Sequence, residues 1–445
     1  MLSIILAAGK GTRMKSKTPK PLHKVGGMSL LEHALATAAD VKTGKSVVVV
    51  GPAMDEVAAV AQLHSAEVSV FVQSEQRGTG DAVMAAREAL LANAGSDVLV
   101  LFCDTPLLRP ATLKKMRDAL DDGAHIVVLG FEAVDPSGYG RVLRDTSGAV
   151  TAIREHRDAS TEELAVCLCN GGVMAFRCPD LVGILDRISD DNAKNEIYLT
   201  DAIEIALSDG LQVKAVICAE EEVMGINDRR QLAQAEAVFQ DLARQDAMAN
   251  GATLIAPETV WLSFDTKIGQ DVTIEPNVFF GPGVEVEDGV TIRANCHFEG
   301  AKIGAGATVG PFARLRPGAV LGEDVHIGNF VEVKNVEMGK GAKANHLSYL
   351  GDGQVGAGAN IGAGTIFCNY DGARKHRTQV GAGAFVGSNS SLVAPVTIGE
   401  GAYVGSGSAV SKDVPPDALA VERSDQRNIL GWAKKQRAKM APEKP

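Results

Sequence analysis

A glycine-rich turn crowded with cations, LAAGKGTRMKSKTPK at residues 6–20, follows the first apolar run and has the makings of a phosphate cradle. Small residues let backbone N–H groups approach phosphate oxygens, and Arg13 and Lys20, set among Lys10, Lys15 and Lys17, offset polyphosphate charge. Two familiar glycine fingerprints do not fit. Met14 stands where a dinucleotide-binding turn takes its third glycine, and neither Gly9-Lys10 nor Gly44-Lys45 has the upstream glycine of a P-loop. A plain turn after a strand is the alternative. QSEQRGTGDA at residues 73–82 suggests Gln73 pairing its amide donor and acceptor with a uracil edge, and Gly78 and Gly80 admitting a planar base; a simple strand-to-helix turn also accounts for it. Asp104, closing VLVLFCD, suits Mg²⁺ bridging a triphosphate, or else a turn before Thr105-Pro106. In the second half, His346 falls near Lys334 and Tyr349, where an imidazole suits proton removal from an attacking amine. Arg316 and Lys334 read equally as surface charges.

These residues need a frame, and the chain supplies two kinds. Through residue 225, β-branched runs alternate with helical segments: SIILA, Leu30 to Ala39, SVVVVG, Glu56 to Leu63, VSVFV, Asp81 to Leu91 and DVLVLF. That alternation predicts a Rossmann-like α/β domain, a mostly parallel sheet covered by helices, with ligands at the carboxyl ends of its strands. Asn227 and Asp228 then cap a helix that ends at Asn250-Gly251. Beyond it, aliphatic or Phe residues recur every sixth position from Ile268 to Val410, with three five-residue steps and one interruption between Phe367 and Val380. A register this long predicts a left-handed parallel β-helix of hexapeptide repeats, whose flat faces favour a homotrimer. The domains expected are 1–226, a linker helix 227–250, and 251–445. The interruption carries Arg374, Lys375, His376 and Arg377, either a solvated loop or an anion site.

Composition narrows the function classes. Of 48 glycines among 445 residues, 29 lie after residue 250, so glycine serves the repeat. The net charge of −11 argues against wrapping a nucleic-acid backbone, and anionic ligands therefore need local cationic pockets. Seven cysteines without a Cys-x-x-Cys pair form neither a disulfide framework nor a zinc site; Cys167 and Cys169 are expected on one face of a strand. A reducing cytoplasm fits them. The opening apolar run is too short for a leader or membrane span, and no later run suffices for membrane insertion.

LAAGKGTRM with Lys20, QSEQRGTG, the strand-end Asp104, DPSGYGR, REHRDAS and GIN resemble the sugar-phosphate nucleotidyltransferases. Together with GPFARLRPG, GNFVEVK, NHLSYLGD and NIGAGTIFCNYDG, the whole chain resembles the bacterial bifunctional N-acetylglucosamine-1-phosphate uridylyltransferase / glucosamine-1-phosphate N-acetyltransferase family. The resemblance implies that acetyl-CoA acetylates glucosamine 1-phosphate and that UTP then yields UDP-N-acetylglucosamine, a peptidoglycan precursor. It implies a uridine nucleotide held by Leu6, Ala7, Ala8, Gly9, Gln73, Gly78 and Thr79, with Arg13 and Lys20 on its phosphates. Asp104 and Asn227 hold Mg²⁺, and Gly140, Glu155 and Asn170 meet the sugar. His346 is the implied base; Arg316, Lys334, Tyr349 and Asn360 bind glucosamine 1-phosphate, and Glu332 orients its amine. Ala363, Asn369, Tyr370, Ser388, Ser406 and Arg423 line the acetyl-CoA site. This chain departs from the family at Cys103, usually glycine, and at Gly171, usually threonine. A single-activity nucleotidyltransferase and a catalytically silent assembly subunit are the other readings; loss of the His346 set or of Arg13, Lys20 or Asp104 would favour them, and none is lost.

Overall fold

The computed structural model describes residues 1–177 and 181–440 and divides into two compact units, Met1–Ala243 and a second from Arg244 onward. Cys178 and the last five residues of the basic tail lie outside the described residues. The division falls inside the helix Arg229–Ala249.

In the first unit the strand order is Val213–Cys218, Ile126–Glu132, Leu168–Phe176, Val98–Phe102, Leu2–Leu6, Lys45–Val50 and Val68–Val72, and the hairpin Arg141–Arg144 with Val150–Arg154 branches from Leu168–Phe176. Leu168–Phe176 runs antiparallel to both neighbours, and the remaining pairs on this path are parallel. Apolar runs without alternation form these strands because both faces are covered. Ile4, Val47 and Val100 point into one core, while Ile5, Val48 and Leu101 point into the other. Both faces being buried also corrects the cysteine expectation: the strand starts at Leu168, Cys169 is fully buried within it, and Cys167 is exposed just before it.

The segment expected as one helix from Asp81 to Leu91 is two, Thr79–Ala85 and Arg87–Ala92, broken at Ala86, where φ/ψ is −92°/18°. Arg229–Ala249 forms as expected but with a single cap. The Asp228 carboxylate accepts from the N–H groups of Arg230 and Gln231 at 2.8 and 2.9 Å, whereas the Asn227 side chain turns elsewhere. Its apolar face, Leu232, Ala235, Val238 and Phe239, packs on Val25, Leu30 and Leu107 of the first unit.

The second unit is a stack of coils. Strand pairs are parallel and offset by one coil, as in Thr273 with Thr291 and Glu285 with Lys302. Of the positions expected inside from Ile268 to Val410, Ile268 in the outermost coil is only half-buried, and every one from Ile274 on is buried. Coils approach so closely that a Cβ on Gly339 would lie 2.6 Å from the Ala357 nitrogen, which explains why glycine follows the inward aliphatic in many of the repeats. The interruption is a compact hairpin. Tyr370 bridges to Lys375, and the Asp371 carboxylate, 2.7 Å from His376 Nε2, also accepts from the N–H groups of Ala373 and Arg374. Those hydrogen bonds hold Asp371 far below the usual carboxylate range.

Candidate active sites

Leu6 and Phe102 pair at the ends of adjacent parallel strands, so the turns that follow leave from one edge of the sheet. They open on a cleft of about 310 Å³ lined by Leu6, Ala7, Ala8, Gly9, Lys20, Gln73, Gly78, Thr79 and Asp104. At its floor the Lys20 ammonium donates to Asp104 Oδ2 at 2.6 Å and to Asn227 Oδ1 at 3.0 Å. The exposed Arg13 donates to the same Asn227 oxygen at 2.9 Å. Four residues from three distant stretches thus form one chain of charge, a contact no local pattern announces. The Asn227 backbone N–H donates to Gln231 Oε1 at 2.8 Å, which fixes this residue at the head of the helix.

Gln73 is buried, and its amide hydrogens go to Gly78 O at 3.0 Å and Asp81 Oδ2 at 2.8 Å. Both partners accept only, so the amide orientation is determined and the donor half is already engaged. Contrary to the expectation of a two-way pairing, Gln73 offers a ligand its oxygen alone. The Thr79 hydroxyl accepts from the Leu199 N–H at 3.0 Å. Gln76, which donates to the Ala8 carbonyl, and Glu196 also line the cleft; sequence reasoning passed over both. Gln76 lies within a motif already singled out, whereas Glu196 comes from a loop with no local signal.

Gly78 has φ of +125°, and a Cβ there would lie 2.5 Å from the Ile197 carbonyl oxygen. The backbone cannot shed that contact. Gly78→Ala is expected to lower uridylyl transfer more than about tenfold and to destabilise the first unit by about 1–3 kcal/mol, checked by kinetics and thermal denaturation.

The three residues expected to meet the sugar also converge. Gly140 O accepts from the Asn170 N–H at 2.8 Å, and the Cβ direction of Gly140 points at Glu155 Oε1, 3.3 Å away. Burial pushes the Glu155 carboxyl up. Cys103 lines the cleft, but burial, with Asp104 beside it, pushes its thiol up to about 12, which makes it inert. Gly171 has a packing reason: a Cβ would sit 2.8 Å from Val223 Cγ1, so the buried Val223 takes the room a larger side chain would need.

On the second unit, His346 is exposed and not sealed among the inward residues. Asn329, one coil earlier, pairs with it in register and brings Oδ1 to 2.7 Å from His346 Nδ1. As Asn329 Oδ1 only accepts, Nδ1 is the nitrogen that carries the proton in the neutral ring, and Nε2 then has the lone pair. The register continues through Ala344 with Ile361, Ile361 with Val386 and Val386 with Val404. It therefore stacks His346, Ala363, Ser388 and Ser406 in one column, and Arg423 donates to the Ser406 carbonyl at 2.8 Å at its far end.

Around the corner at Leu347 lies the charged face. Glu332 accepts from Arg316 at 2.8 Å with Arg314 at 3.7 Å, and it pairs in register with Tyr349. The like charge of Lys375, together with burial, pulls the Lys334 pKa below the ordinary lysine value. The Asn369 amide reaches Asp352 Oδ2 at 2.6 Å and the Tyr349 hydroxyl at 3.5 Å. The exposed Tyr370 follows at the root of the hairpin, and its hydroxyl donates to Gly372 O at 2.6 Å. Asn360 lies in register between Lys343 and Phe385. Asn329 was missed, although it lies one coil period before the histidine; Lys375 belongs to the basic loop singled out as either solvated or an anion site.

Comparison with known proteins covers both units. A MobA-like NTP transferase domain matches residues 3–169, and bacterial transferase hexapeptide repeats match residues 265–300, 300–335 and 377–412. The coil stack is accordingly a left-handed β-helix. The chain is 56% identical to the bifunctional protein GlmU of Azorhizobium caulinodans over 439 residues, which covers 98% of this chain and 97% of that relative. It is 54% identical to that of Xanthobacter autotrophicus over 98% and 97%, and 53% identical to that of a Bradyrhizobium species over 97% and 96%. Similarity of this extent, across both units and in the same order, shows that the chain belongs to the GlmU family of bifunctional uridylyl- and acetyltransferases.

Proposed function

We propose that the chain makes UDP-N-acetylglucosamine, first acetylating glucosamine 1-phosphate with acetyl-CoA on the β-helix and then transferring UMP from UTP at the sheet. The observation that carries this is the convergence of Arg13, Lys20, Asp104 and Asn227 at the cleft floor, matched by an equally complete cluster around His346.

In uridylyl transfer, the sugar phosphate attacks the α-phosphorus of UTP in line and pyrophosphate leaves, so two anions must meet. The turn Leu6–Gly9 brings backbone N–H groups to the nucleotide, and the Gln73 oxygen accepts from the uracil N–H. Arg13 and Lys20 draw charge from the phosphates, and no protein nucleophile is needed. The Asp104 and Asn227 oxygens already share one cation, the Lys20 ammonium, and hard oxygen donors suit Mg²⁺. Among the described residues no three His, Cys, Asp or Glu side chains cluster as metal ligands, so these two oxygens would hold Mg²⁺ jointly with nucleotide phosphates. When bound, the ion supplies further neutralisation of the triphosphate.

In acetyl transfer, His346 Nε2 takes the proton from the glucosamine amine as nitrogen attacks the thioester carbonyl, and coenzyme A leaves as the thiol. Glu332 orients the amine, Tyr349 and Asn360 meet the sugar, and Arg316, Lys334 and Lys375 hold the phosphate. Three coil steps from His346 to Ser406 span about 14 Å, a length that suits an extended pantetheine arm with its thioester beside the imidazole. Asn369 and Tyr370 flank the acyl group.

A homotrimer is supported by an exposed apolar corner, Phe312, Phe330 and Leu347, all at positive φ and next to His346, with the two Phe rings stacked at 5.2 Å. The cytoplasm is the proposed location. No helix of the described residues is long and apolar enough to cross a membrane. The deciding experiment incubates the purified protein with glucosamine 1-phosphate, acetyl-CoA, UTP and Mg²⁺, then omits each in turn. UDP-N-acetylglucosamine formation is expected to need all four; product without acetyl-CoA, or none at all, would reject the reading.

A further inference from the structure

We propose that Asp352 is a positioning residue for acetyl transfer, tying the amides of Asn335 and Asn369 into one column and so fixing the loop that holds Lys375 beside Lys334. This rests on the acetyl-transfer reading above.

The column interrupts a pattern. At one corner of the stack, successive coils turn at Gly283, Gly300 and Gly318, with φ of +75°, +51° and +83°. In the next two coils, the same left-handed turns are made by Asn335 and Asp352, with φ of +50° and +53°. Side chains in this region carry a conformational cost that glycine escapes. Since glycine serves three coils at this corner, stacking alone does not require the change.

What the side chains add is a hydrogen-bonded bridge. Asp352 is 8% exposed, and its Oδ1 accepts from Asn335 Nδ2 at 2.8 Å while Oδ2 accepts from Asn369 Nδ2 at 2.6 Å. An ionised carboxylate only accepts, so it satisfies a donor from the coil on either side, and both bonds are charge-assisted. Burial opposes ionisation, yet the two amides, with Lys334 and Lys375 beyond them, keep the carboxyl below its usual range. Asn369 is also the root of the hairpin: its carbonyl accepts from the His376 N–H at 2.8 Å. Loosening Asp352 therefore frees Asn369 on the acyl side and the Lys375 loop on the phosphate side.

Asp352→Asn keeps the shape but presents N–H to one of the two amides. In the full chain, the KM for glucosamine 1-phosphate is expected to rise about tenfold, kcat for acetyl transfer to fall, and uridylyl transfer to stay unchanged. A pH profile separates positioning from mere support. Lys334 faces Lys375, Arg316 and Asp352, and only Asp352 favours its proton. Without that carboxylate the ammonium is lost at lower pH, so the KM should climb more steeply above neutral pH than in the parent. Asn335→Gly, a residue this corner accepts elsewhere, should raise the KM in the same direction by less, and it decides the matter if Asp352→Asn loses both activities through unfolding. Parent KM and parent pH profile in a folded Asp352→Asn, or in Asn335→Gly if the first variant unfolds, would overturn the proposal alone. A parent protein that fails to acetylate would overturn the acetyl-transfer reading and this inference with it.

Discussion

His346→Ala is expected to lower acetyl transfer at least about a thousandfold while leaving uridylyl transfer within about twofold of the parent. The amine of glucosamine 1-phosphate is protonated in part at neutral pH and becomes cationic as it attacks, so its proton must leave as the new bond forms. The only imidazole nitrogen free to take it is Nε2, because Asn329 Oδ1 holds Nδ1 at 2.7 Å. Alanine removes the base and leaves the coil intact: the side chain is exposed, and its backbone carbonyl keeps the bond from the Gly364 N–H at 3.2 Å. Asn329→Ala should lower kcat by about tenfold with little change in KM, since it frees the tautomer without removing the base. Steady-state assays of both reactions on one preparation, with thermal denaturation as the control for folding, provide the check. Substantial acetylation by folded His346→Ala would take the histidine out of the mechanism.

How much of this could be read from residues alone differs between the two units for a physical reason. In the β-helix each inward side chain touches its own equivalents one coil away, so the constraint repeats along the sequence and the register from Ile274 to Val410 is plain. The α/β sheet was legible as alternating runs, but its antiparallel strand Leu168–Phe176 was not, because strand direction leaves no periodic trace. Site contacts divide in the same way. The phosphate turn and the strand-end Asp104 announce themselves by local composition, whereas Arg13 meets Asn227 across 214 residues of sequence, and the role of Asn227 came only from resemblance. Gln73 suggests either a base contact or a simple strand-to-helix turn, and that its donor is engaged depends on Asp81, whose orientation follows from where the next helix begins. Asp352 carries no signal of its own in the sequence, because its two amide partners come to it from adjacent coils.

Lys20→Ala is expected to reduce uridylyl transfer by about 10²–10³ and to leave acetyl transfer unchanged. Among the described residues Lys20 alone bonds both Asp104 and Asn227, at 2.6 and 3.0 Å. Its removal leaves those oxygens without their shared cation and takes a positive charge from where pyrophosphate departs. Arg13→Ala should produce a loss of similar order, although Arg13 is exposed and its deletion disturbs no packing. The double variant should fall short of the product of the two losses. Both cations bond the one Asn227 oxygen and answer the same developing charge, and groups that act as a unit are not additive. Equal loss of acetyl and uridylyl transfer in variants that remain folded would contradict separate sites; an unchanged uridylyl rate in Lys20→Ala would show that the cleft floor is a structural ion pair with no part in the transfer.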